Sequence, residues 1–485
     1  MIYICCMSNA EFEVVIGLEV HAQLLTASKL FCADSTRFDA DPNTQVSVVS
    51  LAHPGTLPRL NSEAVRLAAR LGLALNCEIV RHNYFARKNY FYPDLPKGYQ
   101  ISQHTTPICK GGYLQIVSGG LPKNVLLNRI HIEEDAGKSL HDAGSGYSNI
   151  DFNRAGMPLV EIVTEPVLNS AEEAAAFVSE LRKLVRHIGV CDGNMQEGSL
   201  RCDVNISVRR KGETTLGTKV EIKNLNSIRF IKKAAEFEAA RLIDCTKNGL
   251  PVVQETRGFD EETGTTYSIR VKEDEDDYRY FPEPDLPPFV ITEQWLNTIR
   301  EELPETPAQV KTRLVETYTL NERDAGLIAG DAELTRYFVD LAGLCKNTRA
   351  ACNWVCGPIK NALAAQEEPI TINLTAIARL ISLIDDGSIS YGIAAQRVFP
   401  QLLQQPGTDV DQYLQNNDLY LQSGNDEMEQ WIDAALQKHA SKIAEYQRGK
   451  KGLLSVFVGE VMKQSRGRAD AKMVTSILNE KLKTK

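Results

Sequence analysis

Glu19 and His21 stand two apart in FEVVIGLEVHAQL, where Phe12, Val14, Ile16, Leu18 and Val20 recur at every second position. That alternation predicts a strand with the apolar side chains on one face. Glu19 and His21 then share the opposite face. A carboxylate beside an imidazole can hold a divalent cation or exchange a proton, although a solvated strand face has the same composition. RIHIEEDAGKS adds an acidic cluster in which Glu134 shares a face with Ile130 and Ile132. Glu134 is therefore expected on the buried side, where a carboxylate needs a basic group or a metal as partner. Glu133 and Asp135 point the other way and can simply be solvated. PLVEIVTEP places Glu161 inside an apolar run. An unpaired carboxylate is costly there, which leaves a ligand role and a structural salt bridge both open.

SLRCDVNISVRR alternates more cleanly, with Leu200, Cys202, Val204, Ile206 and Val208 facing one way. Its other face carries Arg201, Asp203 and Asn205, and TKVEIK adds Lys219, Glu221 and Lys223. Mixed signs at close range suit Mg²⁺ with a polyphosphate, and equally an ordinary solvent face. RKNYFYPDLPKGYQISQ, residues 87–103, is a stiff loop with four aromatics and three basic side chains. Aromatics that stack on bases and cations that meet phosphates would give it a role in nucleic-acid contact; the other reading is loop packing. The sequence contains no GxxxxGK[ST] run, no GxSxG and no Cys-His nucleophile pattern, which excludes P-loop and common hydrolase chemistries.

These residues need elements to position them. At 485 residues the chain is too long for one core. Residues 12 to about 290 mix strands and helices, including a helix over 171–188. Ser170 and Glu173 form its capping box, and Gly189 stops it. FPEPDLPPF, with four prolines in nine residues, reads as a boundary strap. Beyond it strand signals largely vanish. The expected fold is α+β: a mixed domain over 1–290, a helical domain over 291–407 and a helical tail over 408–485. The acidic run KEDEDD is expected to be a solvated turn, and Tyr278, Tyr280 and Phe281 to pack the strap.

Net charge is −9, yet from Arg448 onward ten Lys/Arg face three Asp/Glu. Concentrated positive charge on an acidic protein suggests a polyanion partner, against a solvated helical face. RGKKG and SRGRAD add glycines that let backbone approach phosphates. No apolar run approaches the ~20 residues of a membrane helix. The start has neither a clear signal nor a transit pattern, and Met7 is a possible true start. Eleven scattered cysteines form no disulfide framework, and a reducing cytoplasm is expected. Cys352 and Cys356 are read as packing.

The motifs VIGLEVHAQL, RKNYFYPDLPKGYQISQ, IHIEEDAGKS, NRAGMPLVEIVTEP, EGSLRCDVNISVR, EIKNLNS and DDYRYFPEPDLPP occur in this order. Together they resemble the B subunit of the tRNA-dependent amidotransferases, and weaker matches run to the C-terminus. The resemblance implies a catalytic cradle followed by a helical and a tRNA-binding tail domain. It implies phosphorylation by ATP and Mg²⁺ of the side-chain carboxylate of Glu-tRNA(Gln) or Asp-tRNA(Asn). Ammonia from a glutaminase A subunit then displaces phosphate, and a C subunit completes a heterotrimer. By the same resemblance Glu19, His21, Glu134 and Glu161 are the metal set. Lys88, Asp203 and Lys223 are catalytic candidates, and Arg87, Lys88, Tyr90 and Lys97 line the nucleotide cleft. One departure stands out. Many members have CxC and CxxC zinc ligands, whereas here Cys32 is followed by Asp34, and Ser47 and Ser50 replace the second pair. Serine is a poor zinc ligand, so no zinc is expected.

Overall fold

The computed structural model describes residues 11–141, 146–271, 278–365, 370–421, 425–465, 469 and 471–483. The first ten residues, the acidic run 272–277 and most of SRGRAD lie outside them, and so do the expectations attached to those stretches. The chain divides into two units, Met1–Pro307 and Ala308–Lys485.

The first unit is built on a 13-stranded sheet. Its main strands are β1 (Phe12–Gln23), β2 (Ala86–Asn89), β3 (Tyr99–Ser102), β4 (Leu121–Glu134), β5 (Pro158–Thr164), β6 (Leu200–Arg210), β7 (Val220–Leu225), β8 (Glu255–Asp260), β9 (Thr265–Val271) and β10 (Phe281–Pro282). Their spatial order is β9-β8-β7-β6-β1-β5-β4-β3-β2-β10; Cys109–Lys110 and Tyr113–Ser118 also pair with β4, and Glu78–Ile79 pairs with Cys109–Lys110. Helices α1 (Ser62–Ala74) and α2 (Ala171–His187) come first in the chain. Among the described strands pairing is antiparallel except between β7 and β8, which a long helix, α3 (Ile228–Lys247), connects. A parallel pair needs such a crossover.

The alternation predicted for β1 and β6 is present. Ile16, Leu18 and Val20 pack with Leu200, Cys202, Val204 and Ile206 in one core, joined by Phe177 and Leu181 of α2 (Ala171–His187) and by Ile231 and Ala234 of α3. The helices cover the apolar face and leave the polar one open. Ser170 Oγ caps α2 by accepting from Glu173 N at 3.2 Å. Glu173 does not return the bond to Ser170; it accepts from Asn169 N and Lys123 Nζ instead. Gly189, at φ +67°, takes the left-handed turn that ends the helix. Phe177 is wholly buried, and its truncation to Ala would cost about 3–5 kcal/mol.

The proline-rich strap makes two strand pairings. Phe281 and Pro282 lie against Arg87 and Ala86 at the edge of the large sheet, and Phe289 and Val290 form a separate two-stranded sheet with Asn83 and His82. The next helix, Glu293–Glu302, sends Leu296 and Ile299 into the first core. The first unit therefore runs on to Pro307 rather than ending at 290. The second unit is helical and holds two cores, one formed by residues from Val310 to Leu419 and one from Met428 to Leu482. Val410 and Leu414, just past the break expected near 408, belong to the former. No described helix is long and apolar enough to cross a membrane.

Candidate active site

Sheet register assembles the site. Glu161 on β5 stands opposite both His21 on β1 and His131 on β4, and His21 stands opposite Arg201 on β6. Four polar side chains thus form a row across four antiparallel strands, on the face opposite the core. Glu133 follows His131 by two positions and shares its face. His21 Nε2 lies 3.4 Å from Glu133 Oε1 and 3.6 Å from Glu161 Oε2. His131 Nε2 lies 3.0 Å from Glu161 Oε2 and 3.3 Å from Glu133 Oε2. Ligand atoms of His21, Glu133 and Glu161 all fall within 4.8 Å of one another.

The electrostatics follow from this packing. Burial alone would lower both imidazoles, but Glu133 and Glu161 outweigh it and raise His21 and His131 each to about 9. Against the cost of burial, the same imidazoles hold Glu161 at about 2 and Glu133 well below the usual carboxylate range. Two carboxylates and two imidazoliums therefore balance one another. Two carboxylate oxygens and an imidazole nitrogen converging on one point also fit a divalent cation as an alternative counter-charge.

Beside this cluster lies a second charged group. Glu19 stands opposite Asp203 and accepts a hydrogen bond from Asn205 Nδ2 at 2.8 Å. Lys223 Nζ lies 3.6 Å from Asp203 Oδ2 and 3.5 Å from Glu221 Oε1. Glu221 also accepts from Thr256 Oγ1 at 3.0 Å. Arg201 is held by Asp135 at 2.9 Å. Lys219 precedes β7 and is exposed.

Three acidic residues fall differently from expectation, and the first, Asp135, expected in solvent, is only 5 % exposed and is bound to Arg201. Glu133, expected in solvent, is only 5 % exposed and is the β4 carboxylate that meets His21 and Glu161. Glu134 is buried as expected, but its partner is a side chain: it accepts from Lys97 Nζ at 2.6 Å and from Ile101 N at 2.9 Å. The apolar neighbours Ile130 and Ile132 marked the buried face correctly. Both faces are crowded at this end of β4: Lys97 meets Glu134 on one, and His21 and His131 meet Glu133 on the other. His131 went unnoticed in the sequence, although the period-2 rule that placed Glu19 and His21 also puts it opposite Ile130 and Ile132.

The basic loop divides by role. Arg87 is a clamp on the strap: its guanidinium meets Glu283 at 2.7 Å and Asp285 at 3.0 Å and lies over the Tyr99 ring. Lys97 is committed to Glu134. Lys88 alone of the three turns to the open face, since its cross-strand partner Gln100 shares a face with Ser102, which stands opposite Glu133. Its amine sits 4.7 Å from the centre of the Tyr278 ring. Burial opposes its charge, but Tyr280, Glu133, Tyr278 and Glu161 together raise its pKa. Tyr90 packs edge-on against Tyr92 and Tyr278, while Tyr280 stacks on His104 at 4.0 Å. Phe91 is 80 % exposed.

At the position of the missing zinc ligands the residues bond to each other. Asp34 Oδ2 accepts from Ser50 Oγ at 2.6 Å and from Ser47 N at 2.9 Å. Against burial, bonds from Ser50 and Ser47 lower its pKa. One thiol, one carboxylate and two hydroxyls make a poor zinc set. Asp34→Ala should lower stability by about 1 kcal/mol, because it removes the bonds from Ser50 Oγ and Ser47 N and leaves these groups only their weaker bonds to each other. Thermal denaturation measures this, and elemental analysis should find no stoichiometric zinc. About one zinc per chain would overturn that reading.

The fold and site define an α+β protein with a mixed-sign cluster of charged side chains on the sheet face opposite the core. Residues 14–297 match the family described as the GatB/GatE catalytic domain, and residues 336–482 match the GatB domain. The chain is 44% identical to the aspartyl/glutamyl-tRNA(Asn/Gln) amidotransferase B subunit of Thermodesulfovibrio yellowstonii, covering 98% of this chain and all of the relative. It is 46% identical to the protein of that name from Trichlorobacter lovleyi and 47% to that of Variovorax paradoxus, each over 97% of this chain and 99% of the relative. This chain belongs to the family of aspartyl/glutamyl-tRNA(Asn/Gln) amidotransferase B subunits.

Proposed function

We propose that this chain activates the side-chain carboxylate of Glu-tRNA(Gln), Asp-tRNA(Asn) or both by phosphorylation with ATP, inside a complex with a glutaminase A subunit and a C subunit. The observation that carries the reading is the His21, Glu133 and Glu161 cluster on the open face, with Lys88 beside it. A non-catalytic RNA-binding subunit would have no need to gather two buried carboxylates and two imidazoles.

A carboxylate is a poor acyl donor. Transfer of the γ-phosphoryl group forms a bond from carboxylate oxygen to phosphorus and releases ADP; ammonia then attacks the acyl carbon and phosphate leaves. The cost of the first step is charge gathered on phosphoryl oxygens, which positioned cations offset. Lys88 supplies a fixed positive charge, because the neighbouring carboxylates keep its amine protonated. Arg201, oriented by Asp135, and Lys223, between Asp203 and Glu221, line the same face. His21, Glu133 and Glu161 are the residues that would hold Mg²⁺, which would neutralise phosphate charge. Tyr90 and the exposed Phe91 offer ring faces to a base. The Asp34, Ser47 and Ser50 group takes no part.

The chain alone should release no ammonia from glutamine, because no nucleophile–base pair for amide hydrolysis is apparent in its sequence. Ammonium salts should replace glutamine in the reconstituted reaction, since the acyl phosphate reacts with ammonia from any source. The test is reconstitution with A and C subunits on each mischarged tRNA separately, following ADP and amidated product. Amidation that proceeds unchanged without ATP would reject the proposal.

A further inference from the structure

Far along the chain from the charged face, the helical unit brings two thiols together. Cys352 lies in the helix Thr348–Trp354, and Cys356 lies in the π-helical turn Val355–Ile359 that continues it. Their sulfurs are 3.9 Å apart, at sulfur hydrogen-bond distance. Cys352 is 2 % exposed, within the larger helical core, and Cys356 is half-buried. The pair is thus ordered like a nucleophile and a second thiol behind it: one residue at the margin of the core, the other enclosed within it.

The electrostatics are unequal in the same direction. The hydrogen bond with Cys352 lowers the Cys356 thiol against the opposing effect of burial, and Lys360 adds to the lowering. The same bond, with burial, pushes the Cys352 thiol up. A thiolate, not a thiol, attacks peroxides. The backbone there is already irregular. Gly357 and Pro358 sit inside the π turn, and π turns are wider than regular helix and occur often at functional sites.

We propose that Cys356 and Cys352 form an oxidant-responsive dithiol, which hydrogen peroxide or an organic hydroperoxide converts to a reversible intrahelical disulfide. Cys356 thiolate attacks one peroxide oxygen. The O–O bond breaks, and with one proton taken up the products are Cys356 sulfenic acid and water, or the alcohol where the oxidant is an organic hydroperoxide. The Cys352 sulfur then attacks the Cys356 sulfur, the S–O bond breaks and water leaves with the Cys352 proton. Two thiols are oxidised by two electrons, and one hydrogen peroxide is reduced to two waters.

Geometry decides the character of the bond. Four residues of helix rise about 6 Å, inside the ~4.4–6.8 Å of Cα separation that a disulfide spans. Helical neighbours at that spacing keep Cβ atoms about 5–6 Å apart, beyond the ~3.5–4.5 Å a relaxed disulfide needs. The bond is accordingly strained and easily reduced. It closes a very short loop, so it changes global stability little. Its effect is local and falls on Trp354, which lies between the two cysteines and packs on Tyr391 and Phe399.

The experiment treats the full-length chain with hydrogen peroxide near stoichiometry, blocks remaining thiols and maps peptides by mass spectrometry without reductant. The peptide holding both cysteines should lose two hydrogens and escape alkylation, and a dithiol reductant should restore both thiols. Cys32, Cys245 and Cys345 are half-buried too, and with no described thiol paired to them as these two are, they should oxidise at least several-fold more slowly. In Cys352→Ser the sulfenic acid at Cys356 should accumulate and be trapped by dimedone; in Cys356→Ser, Cys352 should stay reduced. Wild-type chain that keeps both thiols alkylatable while other cysteines oxidise would overturn the proposal. So would direct passage of Cys356 to sulfinic acid with no bond to Cys352. Should either variant fold poorly, the wild-type peptide map still decides.

Discussion

Glu133→Gln and Glu161→Gln should each lower ATP-dependent phosphorylation of the aminoacyl group by about a thousandfold or more, a loss of roughly 4 kcal/mol of transition-state stabilisation. Gln keeps the size of Glu and still accepts hydrogen bonds, so the sheet should remain intact. What disappears is the negative charge that, with its twin, faces His21 and His131 at 3.0–3.6 Å. A cation held between two carboxylates loses most of its affinity when one becomes neutral. Glu134→Gln makes the comparison specific. Its carboxylate is occupied by Lys97 and the Ile101 amide, so its loss should cost stability and less than about tenfold in rate by the same conversion. The measurement is single-turnover ADP release with mischarged tRNA, alongside tRNA binding, which should be unchanged in all three. Wild-type rates in both Glu133→Gln and Glu161→Gln would remove the cluster from the chemistry. A thousandfold loss confined to Glu134→Gln would return that residue to the ligand role its motif implies.

The second large effect is expected from the tail. Removing residues from Asn425 onward should raise the apparent KM for tRNA by about ten- to a hundredfold, with far less change for ATP. Cutting there spares Val410, Leu414 and Leu419, which complete the larger helical core, and removes the separate small core around Met428, Phe457 and Leu478. The segment lost contains the whole basic excess, ten Lys/Arg against three Asp/Glu from Arg448 on. Phosphate contacts release condensed counterions, so tRNA affinity of the intact chain should fall steeply with salt and that of the truncated chain less so. Some of this charge is already used within the tail: Lys450 meets Glu445 at 2.8 Å and Lys481 meets Asp433 at 2.7 Å. Exposed pairs of this kind are weak and exchangeable. Unchanged tRNA affinity and salt slope after truncation would make the tail a solvated bundle.

Much of the first unit is visible in the amino-acid order alone. Period-2 alternation in Phe12–Gln23 and Leu200–Arg210 defines two strands and their buried faces, because a strand sends successive side chains to opposite sides whatever its neighbours are. The start and end of α2 follow from Ser170 and Gly189 for a similar reason, since capping is settled within a few residues. The α+β class and the family are likewise legible, the latter from long motifs in order.

Partnership was not legible. Whether Glu133 or Glu134 meets His21 depends on which strands flank β4 and in what register, and Glu161 lies some 140 positions from His21 in the chain. Local periodicity tells which side chains share a face of one strand. It does not tell how closely neighbouring side chains will enclose it, and at the end of β4 Glu133 and Glu134 are buried on opposite faces. Lys97 and Arg87 show the same limit. Each is a basic residue in a loop suited to phosphates, yet the fold brings Glu134 to one and Glu283 to the other, because a buried carboxylate must find a cation. Only Lys88 turns to the open face, and it does so by its place in the β2–β3 pairing. Side-chain type and spacing determined which residues were able to do chemistry; the register between distant strands decided which of them stand together.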